Sequence, residues 1–430
     1  MRIFILTFLI FLKFNFLYAE NLKFYLESAF KNNPKLNAER KNFKSIKENI
    51  NISRSEFLPS VTISGDISSK ESTNRSNQSG SNLSDTNLNT ETTTVAVDQK
   101  IFQGLKGYNS LKKSNLEVER AKFQLQDSEQ ELILDSVKVY VDLIFKEKNK
   151  KFNIANLDLF ERQVETDRAR LQKGEITLTD LAQSESALAR ANANLISATT
   201  DLLTTRINFE KIIRIRPPEE IDDKIDLKIN LPQTLKEALS IATNKNPKLN
   251  ISQLDYDISK KSLEIEKANF SPSASLNYSK SESDDFSSTV DKVDQETVKA
   301  TVTWPIIKGG KNYSSIKKSQ YQKERSSLLL EDTKNEVETM TTNTWSIYQS
   351  SKSVLNSTKA QLKAAEIANE GITLEYDTSN TRTTLDLIQS RSLLLEARIA
   401  NAKAERDFLV SKFELLSQIG DLSLSVIRTF

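Results

Sequence analysis

The stretch Asn32-Asn33-Pro34-Lys35-Leu36-Asn37 occurs a second time as Lys245-Asn246-Pro247-Lys248-Leu249-Asn250. Roughly half of the chain separates the two, and the same distance separates Phe57-Leu58-Pro59 from Phe270-Ser271-Pro272. Self-similarity at one fixed spacing is typical of an internal repeat, and prolines with matching neighbours rarely recur at that spacing by chance. The sequence therefore indicates a tandem duplication, and we expect the fold to be built twice.

The repeat continues towards the end of each copy. Residues 179–184 are matched by residues 385–390, and Phe209-Glu210 is matched by Phe413-Glu414. Together the two copies account for nearly all of the chain after its first residues. The predicted segments are a signal peptide (1–19), a first repeat (20–216), a linker (217–231), a second repeat (232–420) and a C-terminal tail (421–430).

The composition excludes several classes of site. The chain has no cysteine and no histidine, which rules out thiol nucleophiles, disulfides, Cys/His zinc sites and imidazole acid–base chemistry. Its glycines are too few and wrongly spaced for a phosphate loop or a dinucleotide site. With a net charge of +2, the chain has no overall field that would attract nucleic acid. No cluster of carboxylates or of Ser and Lys suggests catalysis, so we predict no enzyme, no metal and no cofactor.

The first residues are expected to direct export. Arg2 supplies a positive charge, residues 3–12 are almost wholly apolar, and Ala19 offers a small residue at a plausible cleavage point. An uncleaved membrane anchor is the alternative, but the apolar run is too short to span a bilayer. No later segment has the apolar length of a transmembrane helix. If the mature protein enters a membrane, we expect it to do so without transmembrane helices.

Two stretches in each copy alternate apolar and polar residues, which is the pattern of a half-exposed strand. They are residues 61–67 and 94–101, joined by a polar loop over 71–90, and residues 274–279 and 298–304. Strands of about ten residues are long enough to cross a bilayer at a tilt. Four strands are too few to build a second sheet over the apolar face, so we expect that face to meet lipid. Trp304 and Tyr278 are candidates for an interfacial aromatic girdle.

Long helices are predicted after each hairpin. No proline lies between Pro59 and Pro217, and apolar residues recur at three- and four-residue steps. A helix of about 65 residues is on the order of 100 Å long. Gly174 and Asn380 interrupt the pattern and suit the left-handed conformation at a helix end. We expect the two shorter helices of each copy to lie antiparallel along the long one. The predicted helices are 34–57, 105–172, 178–213, 310–376 and 383–418.

This arrangement resembles the TolC-like outer-membrane efflux family, the channel-tunnels. The resemblance rests on the two Asn-Pro-x-Leu starts, on the two prolines that precede strands, and on Trp304-Pro305-Ile306-Ile307-Lys308-Gly309-Gly310. It covers nearly the whole mature chain. It implies a mixed α and β fold with two tandem structural repeats, a long antiparallel α-helical barrel, and four transmembrane β-strands per protomer. In a homotrimer these strands would form one twelve-stranded β-barrel.

The family also implies a location and partners. The β-barrel would lie in the outer-membrane lipid of a Gram-negative-type cell, with the helical barrel in the periplasm. The trimer would be the passive exit duct of a tripartite efflux pump or a type I secretion system. An inner-membrane ABC or RND transporter would supply the energy through a periplasmic adaptor. The alternative is a periplasmic coiled-coil adaptor or scaffold without a pore, which suits long helices but not paired amphipathic hairpins.

In the family, ties between helix pairs and a ring of acidic side chains close the periplasmic tip, which here would be formed by the two breaks. Three copies of Asp386 around a narrow pore would attract cations. The position of a second family acid is Gln389, and Tyr376 sits one residue off the usual spacing. Asp180 and Asp386 could instead stabilise helix N-termini, and Arg382 could be a solvated charge. The gate or latch candidates are Thr179, Asp180, Arg382, Asp386 and Tyr376.

Overall fold

The structure, a computed structural model, describes residues 22–219, 221, 230–378 and 382–424. The predicted signal peptide, most of the predicted linker and Asn380 lie outside these residues. The elements in chain order are α1 (Leu22–Asn32), α2 (Pro34–Ser55), β1 (Ser60–Ser72), β2 (Thr86–Phe102), α3 (Lys106–Gln172), α4 (Leu178–Ile213), α5 (Leu235–Lys245), α6 (Pro247–Ala268), β3 (Ser273–Ser287), β4 (Val290–Thr303), α7 (Lys311–Thr378) and α8 (Thr384–Gln418).

The long predicted helices are present with nearly the expected limits. α3 and α7 run for 67 and 68 residues, and α4 and α8 for 36 and 35. Their length follows from the absence of proline, since glycine and proline are the residues that most disfavour a helix interior. Among the described helices, none is both long and apolar enough to cross a membrane. The short helices α1 and α5 were not predicted, because 11 residues give little periodic signal.

The repeated Asn-Pro motif joins the start of each copy to its end. The Asn33 side chain accepts a hydrogen bond from the Leu36 N–H at 3.2 Å, so Asn33 is the N-cap of α2. Its amide nitrogen donates to the carbonyl of Ile212 in the last turn of α4, at 3.3 Å. In the second copy Asn246 donates in the same way to the carbonyl of Gln418, at 2.7 Å. Each asparagine therefore satisfies a helix-end carbonyl that has no partner within its own helix.

The chain forms two compact units that do not coincide with the two copies. Unit 1 comprises Met1–Ala38, Asp127–Asn246 and Val337–Phe430, and unit 2 comprises Glu39–Gln126 and Pro247–Glu336. Each unit therefore combines segments from both halves of the sequence. The duplication is therefore a property of the sequence and does not define the compact units. The predicted limits of the two repeats and the linker remain predictions.

In unit 1, helices of one copy pack antiparallel, as expected from their lengths. Lys146 of α3 pairs with Asp201 of α4 at 2.6 Å, and Arg168 of α3 pairs with Glu185 of α4 at 2.8 Å. Partner numbers fall along α4 as they rise along α3, so the two helices run in opposite directions.

An aromatic cluster holds the start of the chain against this pair. Tyr25 of α1 lies between Phe209 of α4 and Tyr140 of α3, with ring centroids 5.1 and 5.8 Å apart, and all three side chains are buried. Aromatic pairs at such distances add to the free energy gained by burying their area. The short helix α1 is thus fixed by tertiary packing, which explains why its own sequence gave little signal.

Unit 2 contains a four-stranded antiparallel sheet in the order β1-β2-β3-β4. The strands have 13 to 17 residues, so the expected length of about ten was wrong, and the loop predicted over 71–90 is limited to residues 73–85. The pairing of β1 with β2 continues to Ser72 and Thr86. Asp285 of β3 stabilises the extended part of β2. Its carboxylate accepts a hydrogen bond from the Asn89 N–H, and its carbonyl accepts one from the Thr90 hydroxyl, both at 2.8 Å. Polar strand ends are held by cross-strand contacts that a local pattern does not reveal.

The end of α8 generates a stability prediction. Gly420 has a φ of 79°, and a Cβ there would collide with the backbone of Lys245. Gly80 has a similar φ of 80°, but a Cβ there would meet nothing. Gly80→Ala should therefore cost no more than the left-handed penalty of about 1–2 kcal/mol. Gly420→Ala should lower the thermal unfolding midpoint distinctly more. Equal midpoints for the two variants would show that the close approach to Lys245 is unimportant.

Candidate functional site

Two regions carry the predicted functional residues: the sheet of unit 2 and the helix breaks of unit 1. The sheet has one face of large apolar side chains, which we call the apolar face. Rows across the sheet follow the register, as in Val61, Val97, Tyr278 and Val298. No described helix packs across these side chains, and Ile67 remains 80% exposed. The members of the apolar face are Val61, Ile63, Ile67, Val95, Val97, Phe102, Leu276, Tyr278, Val298 and Val302.

The opposite face of the sheet carries small polar residues. The row next to Val61 is Thr62, Ala96, Ser279 and Thr297. An exposed apolar patch of this extent on a folded chain marks an interaction surface, and the partner must itself be apolar. A sheet with one apolar and one polar face suits lipid on one side and water on the other.

The two girdle candidates lie at opposite ends of the apolar face on β3 and β4. Trp304 follows the end of β4, and its indole N–H donates to the carbonyl of Phe270 at 3.1 Å. Tyr278 lies two residues beyond Leu276 on this face, and the next position on its side carries Lys280 opposite Glu296. From Val298, the partner of Tyr278, to Trp304 the chain advances roughly 20 Å. The apolar bands of membrane barrels are about 25 Å tall and bordered by aromatic residues.

The sheet has two open edges. β1 and β4 each pair with only one neighbour, and their outer backbone groups extend over 13 and 14 residues without a proline. Soluble proteins usually shorten, charge or cover such edges, because they template pairing with other chains. In hydrocarbon, unpaired backbone groups cost several kcal/mol each.

At the helix breaks, Asp180 and Asp386 occupy equivalent positions. The carboxylate of Asp180 accepts the N–H and hydroxyl of Thr177, at 2.9 and 2.7 Å, and the Thr177 oxygen accepts the Asp180 N–H. Asp386 and Thr383 repeat this capping box at 3.0 and 2.9 Å. Asp180 and Asp386 therefore stabilise the N-termini of α4 and α8, which is the alternative role considered above. Hydrogen bonds from the threonines lower the pKa of both carboxyls, aided by the charges of Arg170 and Arg382.

The other break candidates take separate positions. Thr179 lies exposed in the first turn of α4, and it makes no side-chain hydrogen bond within the described chain; the capping residue is Thr177. The Thr-x-x-Asp spacing could have identified Thr177 as the cap. Arg382 pairs with Glu375 at 2.6 Å, and this hydrogen bond raises the pKa of the guanidinium.

Tyr376, near the end of α7, is buried between the helices. Its hydroxyl lies 3.2 Å from the Asp167 carboxylate and 3.3 Å from the Thr384 hydroxyl. The Arg170 guanidinium lies over its ring, 5.1 Å from the centroid. Burial raises the pKa of the phenol, so Tyr376 remains a neutral hydrogen-bond donor at physiological pH.

Asp167 is the centre of these contacts, and it is completely buried. It accepts hydrogen bonds from Ser184 at 2.5 Å, from Gln163 at 2.9 Å and from Tyr376 at 3.2 Å. Arg391 donates to the amide oxygen of Gln163 at 3.2 Å, which turns the Gln163 N–H groups towards Asp167. We call these five residues the buried tie. It connects α3, α4, α7 and α8.

Four members of the buried tie were not predicted. Tyr376 and Asp167 are 209 positions apart, so no local pattern connects them. A partial signal does exist, because Gln163 and Asp167 interrupt the buried face that Phe160 and Val164 form on α3. Polar residues on a buried helix face need partners, and those partners belong to other helices.

Comparisons with known proteins agree with this arrangement. The profile of outer membrane efflux proteins matches residues 25–213 and 238–421. The chain belongs to this family. It is 25% identical over 410 residues to the outer membrane efflux protein BepC of Brucella suis, covering 94% of this chain and 86% of BepC. It is 22% identical over 418 residues to the outer membrane protein TolC of Escherichia coli, covering 94% and 83%.

Solved structures of outer membrane channels share the fold. The CmeC channel of Campylobacter jejuni superposes with a TM-score of 0.82 at 15% identity, covering 94% of this chain and 88% of CmeC. The MtrE channel of Neisseria gonorrhoeae gives a TM-score of 0.76 at 16% identity, covering 93% and 88%. Membership of the outer membrane efflux family confirms the predicted resemblance, fold class, outer-membrane location and efflux channel function. The enzyme class is thereby excluded, and the adaptor alternative has no support.

The two faces of β4 generate a matched prediction. Ala300, opposite Leu276, lies on the apolar face between the levels of Tyr278 and Trp304, and its neighbour Thr301 lies on the polar face. A lysine facing lipid costs about 2–4 kcal/mol at mid-bilayer, whereas one facing water costs little. Ala300→Lys should reduce the amount of heat-modifiable oligomer in outer-membrane fractions, and Thr301→Lys should leave it near wild type. A greater loss with Thr301→Lys would reverse the assignment of the two faces.

Proposed function

We propose that this outer-membrane efflux channel is the passive exit duct of a tripartite efflux pump or type I secretion system, and that it works as a homotrimer. The observation that carries the proposal is the sheet with one exposed apolar face and two open edges. Purified protein inserted into planar bilayers tests it. Discrete, oligomer-dependent conductance steps are expected, and a folded preparation that never inserts would contradict the proposal.

Strand direction supports closure by identical copies. The order β1-β2-β3-β4 is antiparallel throughout, so β4 runs opposite to β1. β4 of one copy can therefore pair antiparallel with β1 of the next, and a closed ring leaves no edge in the hydrocarbon. Three copies give twelve strands, the number that the family resemblance implies. Trp304 and Tyr278 would then border the membrane-embedded band.

The first turns of α4 and α8 support contact with a periplasmic adaptor. Leu178 is 71% exposed and Leu385 is 45% exposed, and each lies in the same helical turn as the aspartate of the capping box. Apolar side chains on a polar helix end suit docking by another protein. Through such an adaptor, an inner-membrane ABC or RND transporter would drive export.

The buried tie is suited to act as the latch of the duct. It joins four helices through a completely buried carboxylate, which must keep its hydrogen-bond donors because an unpaired buried charge is costly. Separation of the helices would break several of these bonds together, so closed and open arrangements are distinct states. A partner that binds the open arrangement more tightly would shift the balance between them. Arg382, held by Glu375, is positioned to limit the same movement.

Removal of one donor should weaken the latch without unfolding the protein. Tyr376→Phe deletes the bond to Asp167, while Ser184 and Gln163 still donate to that carboxylate. If the closed state loses about 1 kcal/mol of stabilisation with this hydrogen bond, the ratio of closed to open channels falls roughly fivefold. Single-channel recordings should show a correspondingly larger open fraction. Tyr321→Phe, on an exposed part of α7, is the control and should match wild type. An unchanged Tyr376→Phe channel would exclude the tie as the latch.

The proposed cation ring at Asp386 gives a pH prediction. Its pKa is lowered from the usual 3.8, so the carboxylate should stay charged as the pH falls through that value. Block by divalent cations on the tip side should therefore persist to pH values at which an ordinary aspartate is half protonated. Asp386→Asn should abolish the block at every pH.

Asp180→Asn is the matched control for the ring, because Asp180 has the same capping box in the first copy. It should keep the divalent block. Retention of the block in both variants would move the ring elsewhere, and equal loss in both would assign the effect to helix capping.

A further inference from the structure

Helices α3, α4 and α8 enclose a cavity of about 300 Å³ within unit 1. We call it the asparagine pocket, after Asn149, Asn153 and Asn156 on one side of α3. Neither the buried tie nor the apolar face includes any of its residues. Its volume is at the lower end of the range for small-molecule sites, and those sites combine an apolar lining with a few placed polar groups.

Asn156 lines the pocket with an amide that has no partner within the described chain. Its side chain is only 7% exposed, and within the described residues it makes no hydrogen bond. Asn153 is 4% exposed and uses its amide nitrogen for Asn149, at 2.8 and 3.0 Å. Its own amide oxygen accepts no hydrogen bond within the described residues. These amide groups line the pocket, so they are available to a ligand that forms hydrogen bonds with them.

The rim of the pocket has one unpaired charge of each sign. Arg190 of α4 and Glu396 of α8 line the opening, and neither has an ion-pair partner within the described part of the chain. Asp201, also on the rim, is already neutralised by Lys146 at 2.6 Å. In the alignment of the two copies that matches Asp180 with Asp386, Arg190 and Glu396 are equivalent positions. The duplication has therefore placed opposite charges on two helices that border the same pocket.

The floor of the pocket is apolar. Small side chains at Ala187 and Ala191 of α4 leave the space open, and Phe160 of α3 packs beside them in a buried cluster. The pocket thus combines an apolar floor, unpaired amides on one wall, and a cation and an anion at its rim.

We propose that the asparagine pocket binds a small amphiphilic zwitterion of about the size of a dipeptide. The ligand carboxylate pairs with Arg190 and its ammonium group with Glu396. Its amide bonds to Asn156 and Asn153, whose carboxamides both donate and accept. Its apolar side chain rests on the alanine floor. This site is independent of the proposed role as an exit duct.

Calorimetric titration of the purified full-length protein in detergent tests the proposal with three probes. Leucyl-leucine carries both charges, N-acetyl-leucyl-leucine lacks the ammonium group, and leucyl-leucinamide lacks the carboxylate. Saturable binding of one leucyl-leucine per chain is expected, with at least tenfold weaker binding of each blocked form. Absence of saturable leucyl-leucine binding, or equal binding of all three probes, would overturn the proposal.

Variants assign each charge. Arg190→Gln should abolish the preference for leucyl-leucine over leucyl-leucinamide, and Glu396→Gln should abolish the preference over the acetylated form. Asn156→Leu should weaken leucyl-leucine at least tenfold. Arg162→Gln is the control, because Arg162 is an exposed α3 residue outside the pocket that pairs with Asp158. Both charge variants lie on the exposed rim, and their thermal unfolding midpoints report whether folding is intact. Unchanged probe preferences in folded variants would refute the assignment.

Discussion

The bond between an asparagine side chain and the end of a distant helix fixes how each copy of the repeat closes. A helix of about 35 residues ends with carbonyls that no residue of the same helix can satisfy. Asn33 and Asn246 meet this need at Ile212 and Gln418, while the proline after each asparagine starts the next helix. The last helix of a copy therefore ends where its second helix begins. In the second copy the close approach of Gly420 to Lys245 completes the junction.

Polarity is distributed in opposite ways in the two units, and each distribution follows from what surrounds it. In unit 2 large apolar side chains are exposed along one side of a sheet, which is favourable only where the surroundings are apolar. In unit 1 an aspartate, a glutamine and an arginine meet between helices, which is favourable only where each polar group finds a partner. Membrane insertion and a connection that can open thus use different physical forces in one chain. The asparagine pocket is a third case, in which polar groups without a partner in the described chain line an opening between helices.

Helices, their limits and the repeat could be read from the sequence, because they depend on local pattern and on the positions of proline. The alternation on β1 to β4 likewise identified the strands and their apolar side. Their full lengths could not be read, since the polar strand ends depend on cross-strand partners such as Asp285 with Asn89. The candidate aspartates were found from the family resemblance at the two breaks, and the threonines that cap these helices lie only three residues before them. Asp167 was missed because every group that satisfies it is brought by folding.

By itself, the sequence determined the family, the order of helices and strands, the apolar face of the sheet and the positions of the two breaks. Each of these depends on residues that are close together in the sequence or on the internal repeat. The tertiary structure alone decided which polar groups meet. Tyr376, a latch candidate, is buried against Asp167, and Arg382 pairs with Glu375. Hydrogen bonds depend on distances of a few tenths of an ångström between helices, and such distances are set only when the side chains of all four helices pack together.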